Sequence, residues 1–230
     1  RRHLNCSGPH AWARLSTMPL LYEWLREAVA ESADGGTKGN GTALVHRDTY
    51  LSWRGLLHRT DRRVKELAGM GIGAGDWVGV MLGNVPEMVI LTVALSKLEA
   101  VVVPIDPTTA SRDLDMVLEA APLRAIITRP GGAEAPAAAV GIAPPVSKPA
   151  VRFVPEARRR LQGTLLTCSV FKRQSRLSPA GVRPSVVLLT ADAGGDPRGV
   201  IRSEEQLESI AVCLGHALGL GPKDQTLALV

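Results

Sequence analysis

Between residues 53 and 128 the chain alternates between helical and strand periodicity, and that alternation restricts its fold more than any other feature. Ser52 stands where a helix cap is needed, and Leu56, Leu57, Val64, Leu67 and Ala68 follow on one helical face until the Gly69–Gly75 stretch stops it. Trp77 to Leu82 is an apolar strand pattern. Gly83-Asn84-Val85-Pro86 is a turn that places a proline at the start of a helix, and Met88 to Leu98 is apolar nearly all round, the pattern of a buried helix. Val101 to Ile105 reads as a strand, Ser111 as the cap of a helix reaching about Ala121, and Arg124 to Thr128 as a further strand. Short Val/Ile-rich strands separated by helices predict βαβ units. The expected fold is therefore α/β, a parallel, doubly wound sheet with helices on both faces.

The flanks read differently. Leu20 to Glu31 sets Leu21, Trp24, Leu25, Ala28 and Val29 on one helical face. Thr42–Val45 and Tyr50–Leu51 pair as short strands around His46-Arg47-Asp48. Residues 1–17 read as a non-native or disordered leader, and 18–230 as one partial domain. The chain stops inside the apolar run Thr226-Leu-Ala-Leu-Val230, which reads as a fragment. Residues 130–184 read as a loop or linker: 131–150 is Ala, Pro and Gly without periodicity, and 152–183 combines basic clusters with one apolar patch, Leu165–Phe171.

Charge is uneven. Residues 148–202 hold eleven Lys or Arg and only three acids, Glu156, Asp192 and Asp196. Such a bias suits either a solvated basic face or an anionic partner. No nucleic acid is expected, because aromatics that could stack on bases are not interleaved with the basic residues. Cys6, Cys168 and Cys213 lie far apart and are odd in number, so neither a disulfide framework nor a metal spacing is implied, and no metal-ligating residue is expected. A reducing, cytoplasmic setting fits that usage. The apolar stretch from Pro86 to Ile105 contains Lys97 and Glu99, so no transmembrane segment is expected there.

One segment has the character of a binding loop. Ser185-Val-Val-Leu-Leu-Thr190 enters the turn Ala191-Asp-Ala-Gly-Gly-Asp196, continues as Pro197-Arg198-Gly199-Val200, and a helical pattern begins near Ser203. Strand, glycine turn, basic residue and helix together suit phosphate, because glycine lets backbone N–H groups approach and a helix adds its positive end.

Three stretches, taken in order, resemble the adenylate-forming (AMP-binding) ligases, the acyl-CoA synthetases and their relatives. Leu51-Ser-Trp-Arg-Gly-Leu-Leu57 is similar to that family's Leu-Thr-Tyr-x-x-Leu entry into a helix. Gly75-Asp76, Asn84-x-Pro86-Glu87 and Pro104-x-Asp106-Pro107 follow with its spacing. Thr190 to Val200 aligns with the signature Thr-Ser-Gly-Thr-Thr-Gly-x-Pro-Lys-Gly-Val. The match covers about 44–128 and 185–230.

The resemblance implies ATP-dependent activation of a carboxylic acid: an acyl-adenylate forms with loss of pyrophosphate, and the acyl group passes to coenzyme A or another thiol. ATP and Mg2+ are the implied cofactors, and a nucleotide and a carboxylic acid the implied partners. Carried over by position, Thr190, Gly195, Arg198 and Gly199 are the candidate nucleotide-binding residues. Thr190 would bond phosphate or hold the loop, Gly195 and Gly199 would let backbone wrap phosphate, and Arg198 stands where the family has lysine, bringing a forked donor in place of a point charge. No catalytic residue is assigned, since the family's later motifs would lie beyond Val230. Ala191, Asp192, Ala193 and Gly194 replace Ser, Gly, Thr and Thr, so three hydroxyls are gone. Asp192 adds an anion where phosphate is expected, a repulsion of about 1–4 kcal/mol at about 4 Å unless a bridging cation reverses its sign. Glu99 also replaces a usual glycine. Two expectations follow: a carboxylate-activating ligase inactive as this 230-residue chain, or a non-catalytic relative kept as a binding module.

Overall fold

A computed structural model describes residues 20–31, 33–34, 37–38, 40–109, 114, 116–117, 121–129, 156–172, 185–191, 197–221, 224 and 226. Helix α1 (Leu20–Glu31) precedes two small antiparallel pairs, β1 (Ala33–Asp34) with β2 (Thr37–Lys38) and β3 (Thr42–His46) with β4 (Thr49–Ser52). Arg47 takes φ 53° in the turn between β3 and β4. Helix α2 (Trp53–Ala68) starts at Ser52, whose Oγ accepts from Gly55 N–H at 3.1 Å, as the capping pattern predicts. Then come β5 (Trp77–Met81), α3 (Pro86–Lys97), β6 (Val101–Pro104) and β7 (Leu123–Thr128). Pro86 occupies the first turn of α3.

The main sheet has seven strands in the order β11-β10-β6-β5-β7-β9-β8, where β8 is Ala157–Arg160, β9 Thr167–Val170, β10 Val186–Ala191 and β11 Pro197–Arg202. Its centre, β10-β6-β5-β7, is parallel. Both margins are antiparallel: β11 on β10, and β9 and β8 beyond β7. The expected doubly wound parallel sheet is thus the core of a mixed one. Two of the added strands, β8 and β9, lie within the 130–184 stretch read as loop or linker. β8 is Ala-Arg-Arg-Arg, exposed throughout, so it carries no alternation from which a strand could be read.

Strand alternation divides the core in two. Val78, Val80, Val102, Ala125, Ile127 and Cys168 face one side and pack with Leu67 of α2 and Leu91, Ala94 and Leu95 of α3. Trp77, Met81, Val101, Val103, Ile126 and Val187 face the other, against Leu114 and Val117. Leu114, Met116 and Val117 are helical, in agreement with the helix expected after Ser111, whose cap lies outside the described residues. Helices therefore cover both faces. Complete burial of each Leu or Ile contributes about 1.5–3 kcal/mol. The last helix, α4 (Glu204–Leu218), buries none of its side chains fully and exposes Ile210, Leu214 and Leu218. No described helix is long and apolar enough to cross a membrane.

The margins are fastened by polar contacts. Arg63 is buried, lies 2.5 Å from Glu66 and donates to the Gln162 carbonyl at 3.0 Å. Glu66 in turn accepts from Gln162 N–H at 3.1 Å, so an ion pair on α2 holds both backbone groups of one residue in the β8–β9 turn. Tyr22 of α1 donates to Asp61 at 2.7 Å, and Lys97 of α3 lies 3.4 Å from its ring centroid, tying three helices together.

Candidate functional site

The carboxyl ends of the parallel strands form the candidate site. Helix α3, which follows β5, packs on one face, whereas the helical segment that follows β6 packs on the other. Adjacent strands whose connections leave in opposite directions open a crevice at their carboxyl ends, where α/β proteins bind ligands. The β5–α3 turn and the exit of β6 meet there. Gly83 has φ 67°, and a Cβ on it would sit 3.4 Å from the Pro107 ring.

Two motif aspartates at these turns have backbone tasks. Asp76, at 3 % exposure, accepts from Gly73 N–H at 3.0 Å and shapes the entry to β5, while its carbonyl accepts from Val101 N–H at 2.8 Å. Asp106 follows β6 and accepts from Thr108 Oγ1 at 2.6 Å and Thr108 N–H at 2.7 Å. Those two bonds, the hydroxyl first, hold its carboxyl below the usual range and keep it ionised.

The third motif forms a hairpin. β10 and β11 pair from Val186↔Arg202 to Ala191↔Pro197, which leaves residues 192–196 as the connection at the site end. Thr190 is exposed, pairs with Arg198, and its Oγ1 donates to the Arg198 carbonyl at 3.4 Å. Of the four residues named from the sequence, Thr190, Arg198 and Gly199 are thereby brought onto two paired strands; Gly195 lies outside the described residues. Among the described residues no three His, Cys, Asp or Glu side chains gather as a metal site, and Asp192 lies outside them.

Two parts of the sequence reading need correction. The helix begins at Ser203 as its pattern predicts, but its positive end does not serve the glycine turn. β11 intervenes, and α4 begins beside Ser185, since Ser185 N–H donates to the Arg202 carbonyl at 2.8 Å. Its amino end is therefore about six residues, roughly 20 Å, from the turn, too far for its dipole to reach a ligand there. The positive end of α4 is instead satisfied internally. Ser203 Oγ accepts from Gln206 N–H at 3.3 Å, Gln206 accepts from Ser203 N–H at 3.1 Å, and Glu204 accepts from Ser96 and Ser185. Nor does Gly199 lend backbone freedom: it lies inside β11, outside the positive-φ glycines, and a Cβ there would stand 3.0 Å from Val187 Cγ1. Its requirement is close packing, a signal that strand register reveals and the motif alone does not.

The exposed residue Arg198 supplies a cation that suits a phosphate anion, and the Thr190 hydroxyl, which donates to the Arg198 carbonyl, ties the two strands beside it. The family profile described as "AMP-binding enzyme" matches residues 31–230. The olefin beta-lactone synthetase of Stenotrophomonas maltophilia is 30 % identical over 190 residues, which is 80 % of this chain and 34 % of that protein. The dimodular nonribosomal peptide synthase of Bacillus subtilis is 27 % identical over 191 residues, 81 % of this chain and 7 % of that protein. The O-succinylbenzoate coenzyme A synthetase of Bacillus subtilis, solved with AMP, superposes with a TM-score of 0.63 at 16 % identity, over 89 % of this chain and 47 % of its own. The chain thus spans about a third or less of these two sequence relatives.

Proposed function

The chain belongs to the AMP-binding enzyme family, and from that premise we propose that it supplies the nucleotide-phosphate grip of an ATP-dependent carboxylate-activating ligase. The observation that carries this reading is the β10–β11 hairpin, which sets Thr190 and Arg198 side by side at the carboxyl edge of the parallel strands.

A carboxylate is a poor electrophile, and adenylation gives it a leaving group. ATP, when bound, would supply the adenylyl group, its pyrophosphate leaving as the carboxylate takes the α-phosphorus, and Mg2+ would offset its charge. The chain's own part is electrostatic. Arg198 would bind phosphate oxygen with a fixed positive charge, Thr190 would hold the loop through its bond to the Arg198 carbonyl, and backbone N–H groups near Gly195 would complete the grip. Gly199 would keep β11 seated on Val187 so that Arg198 stays in register. Transfer of the acyl group to coenzyme A or another thiol, in a cytoplasmic setting, completes the reading.

As the 230-residue chain, the protein should show no carboxylate-dependent exchange of pyrophosphate into ATP; exchange with this chain alone would overturn the inactivity. Equilibrium dialysis with Mg-ATP tests the grip. Arg198→Ala should weaken binding by about tenfold, the worth of one charge-assisted contact. Unchanged binding removes Arg198 from the site.

A second reading, a non-catalytic binding module, is favoured by the Ala191–Gly194 sequence. Restoring Ser, Gly, Thr and Thr at positions 191–194 separates the two. A gain in ATP affinity without any exchange supports the module, whereas carboxylate-dependent exchange already present with the natural loop refutes it.

A further inference from the structure

The β10–β11 hairpin carries Thr190 and Arg198, yet little of it is fastened to the rest of the sheet. Its strands hold each other through six register pairs, whereas β10 meets its neighbour β6 at one pair, Val186↔Val102, among the described residues. On one face Val187 is buried and Leu189 packs against the core; on the other, Leu188 is 45 % exposed. The direction of this arm is therefore set at its foot.

Ser185 is that foot. Its N–H donates to the Arg202 carbonyl at 2.8 Å, and its carbonyl accepts from Val102 N–H at 2.7 Å, so β10, β11 and β6 meet on one buried residue. Its Oγ donates to Glu204 Oε1 at 3.3 Å, and the same oxygen accepts from the Oγ of Ser96, buried in the last turn of α3. Glu204 stands in the first turn of α4, where the positive end of the helix favours a carboxylate. One acceptor oxygen thus ties α3, β10 and α4 together. A carboxylate only accepts, so both serine hydroxyls turn toward it, and its removal strands two buried donors.

Leverage extends the reach of this knot. From Ser185 to Thr190 the strand rises roughly 16 Å, so a turn of about 5° at the foot moves the far end by about 1.4 Å. A hydrogen bond spans only about 2.7–3.2 Å and is lost by about 3.6 Å, so that shift is enough to undo a phosphate contact. Given the nucleotide grip proposed above, on which this role rests, we infer that Glu204 is a positioning residue: its bonds to Ser96 and Ser185 aim the hairpin so that Arg198 meets the nucleotide phosphate. Glu204 lies at the end of the hairpin opposite the 192–196 turn and acts through Arg198.

Equilibrium dialysis with Mg-ATP and hydrogen exchange, both on the full chain, test this role. Glu204→Ala should weaken Mg-ATP by about tenfold, the worth of one displaced charge-assisted contact, and speed exchange at the amides of β10 and β11 while β5 and β7 keep their protection. Glu204→Gln, whose amide oxygen still accepts from both serines, should stay within about twofold of the parent. Ile127→Val thins the core at β7 away from the foot; it should lower the urea midpoint yet leave Mg-ATP affinity at the parental value. If Glu204→Ala does not fold, Ser96→Ala, which deletes one donor, should still weaken Mg-ATP by about threefold, and unchanged affinity overturns the role. Parental affinity in Glu204→Ala, equal losses in the Ala and Gln variants, exchange that rises across the whole sheet, or an equal loss in Ile127→Val overturns it too. Absence of Mg-ATP binding by the parent chain removes the grip itself and this role with it, whereas a parent that binds beside a Glu204→Ala variant that binds as well removes the positioning role alone.

Discussion

Glu99 carries the sharpest local conflict between residue and backbone. It takes φ 53° just after α3, and its carbonyl accepts from Gly75 N–H at 2.7 Å, so the left-handed turn joins two loops. A side chain in that conformation costs about 1–2 kcal/mol, against roughly 0.5–1 kcal/mol of extra chain entropy lost by glycine. Glu99→Gly should therefore raise stability by up to about 1 kcal/mol, read as a higher urea midpoint at unchanged slope. The sequence showed that an unusual residue stood here; only the dihedral shows that the turn was kept regardless. Gly199 is the converse case. Gly199→Ala sets a methyl 3.0 Å from Val187 Cγ1 in a packed sheet, and a loss of about 1–3 kcal/mol is expected in the same assay. Thr60 is fully buried with an unpartnered hydroxyl, so Thr60→Val should be neutral or stabilising by about 1 kcal/mol.

At the scale of elements, caps and alternation were legible and margins were not. Ser52 and Ser203 cap their helices because a short side-chain oxygen satisfies an amide that the helix cannot. α3 was legible from its apolar length and Pro86. β8 was not, because its strand geometry comes from pairing with β9 and from the grip of Arg63 and Glu66 on Gln162, a contact 99 residues away in sequence. Arg63→Met removes the buried cation and leaves the part-buried Glu66 without it, a loss of about 1–3 kcal/mol. Hydrogen exchange should then rise first in 157–170, before the central strands; uniform exchange across the sheet would mean that the pair does not hold the hairpin.

For the whole molecule, two groups on different elements couple stability to alkaline pH. Burial, opposed slightly by Arg124, pushes the Cys168 thiol up to about 12. Burial first, and then the bond to Asp61, pushes the Tyr22 phenol up to about 12. Above the unfolded values, 9.0 for the thiol and 10.0 for the phenol, the unfolded chain releases these protons while the folded chain keeps them. Stability contributed by the raised groups is complete below those values and falls as pH rises toward about 12. Urea unfolding at about pH 8 and about pH 11 should show that loss, and Cys168→Ala should lower stability at both while making the decline shallower. Thiol labelling of the folded protein should separate exposed Cys213 from buried Cys168.

The sequence by itself determined the parallel centre of the sheet, the helices on its two faces and the family resemblance, because each of these is written in local periodicity and in short motifs at fixed spacing. It also named Thr190 and Arg198. Tertiary structure alone decided that these two stand on opposite strands of a hairpin, that α4 begins at the far end of it, and that a run of arginines is an edge strand. Those outcomes depend on register and on contacts between distant residues, which set where a backbone amide points without leaving a period in the chain.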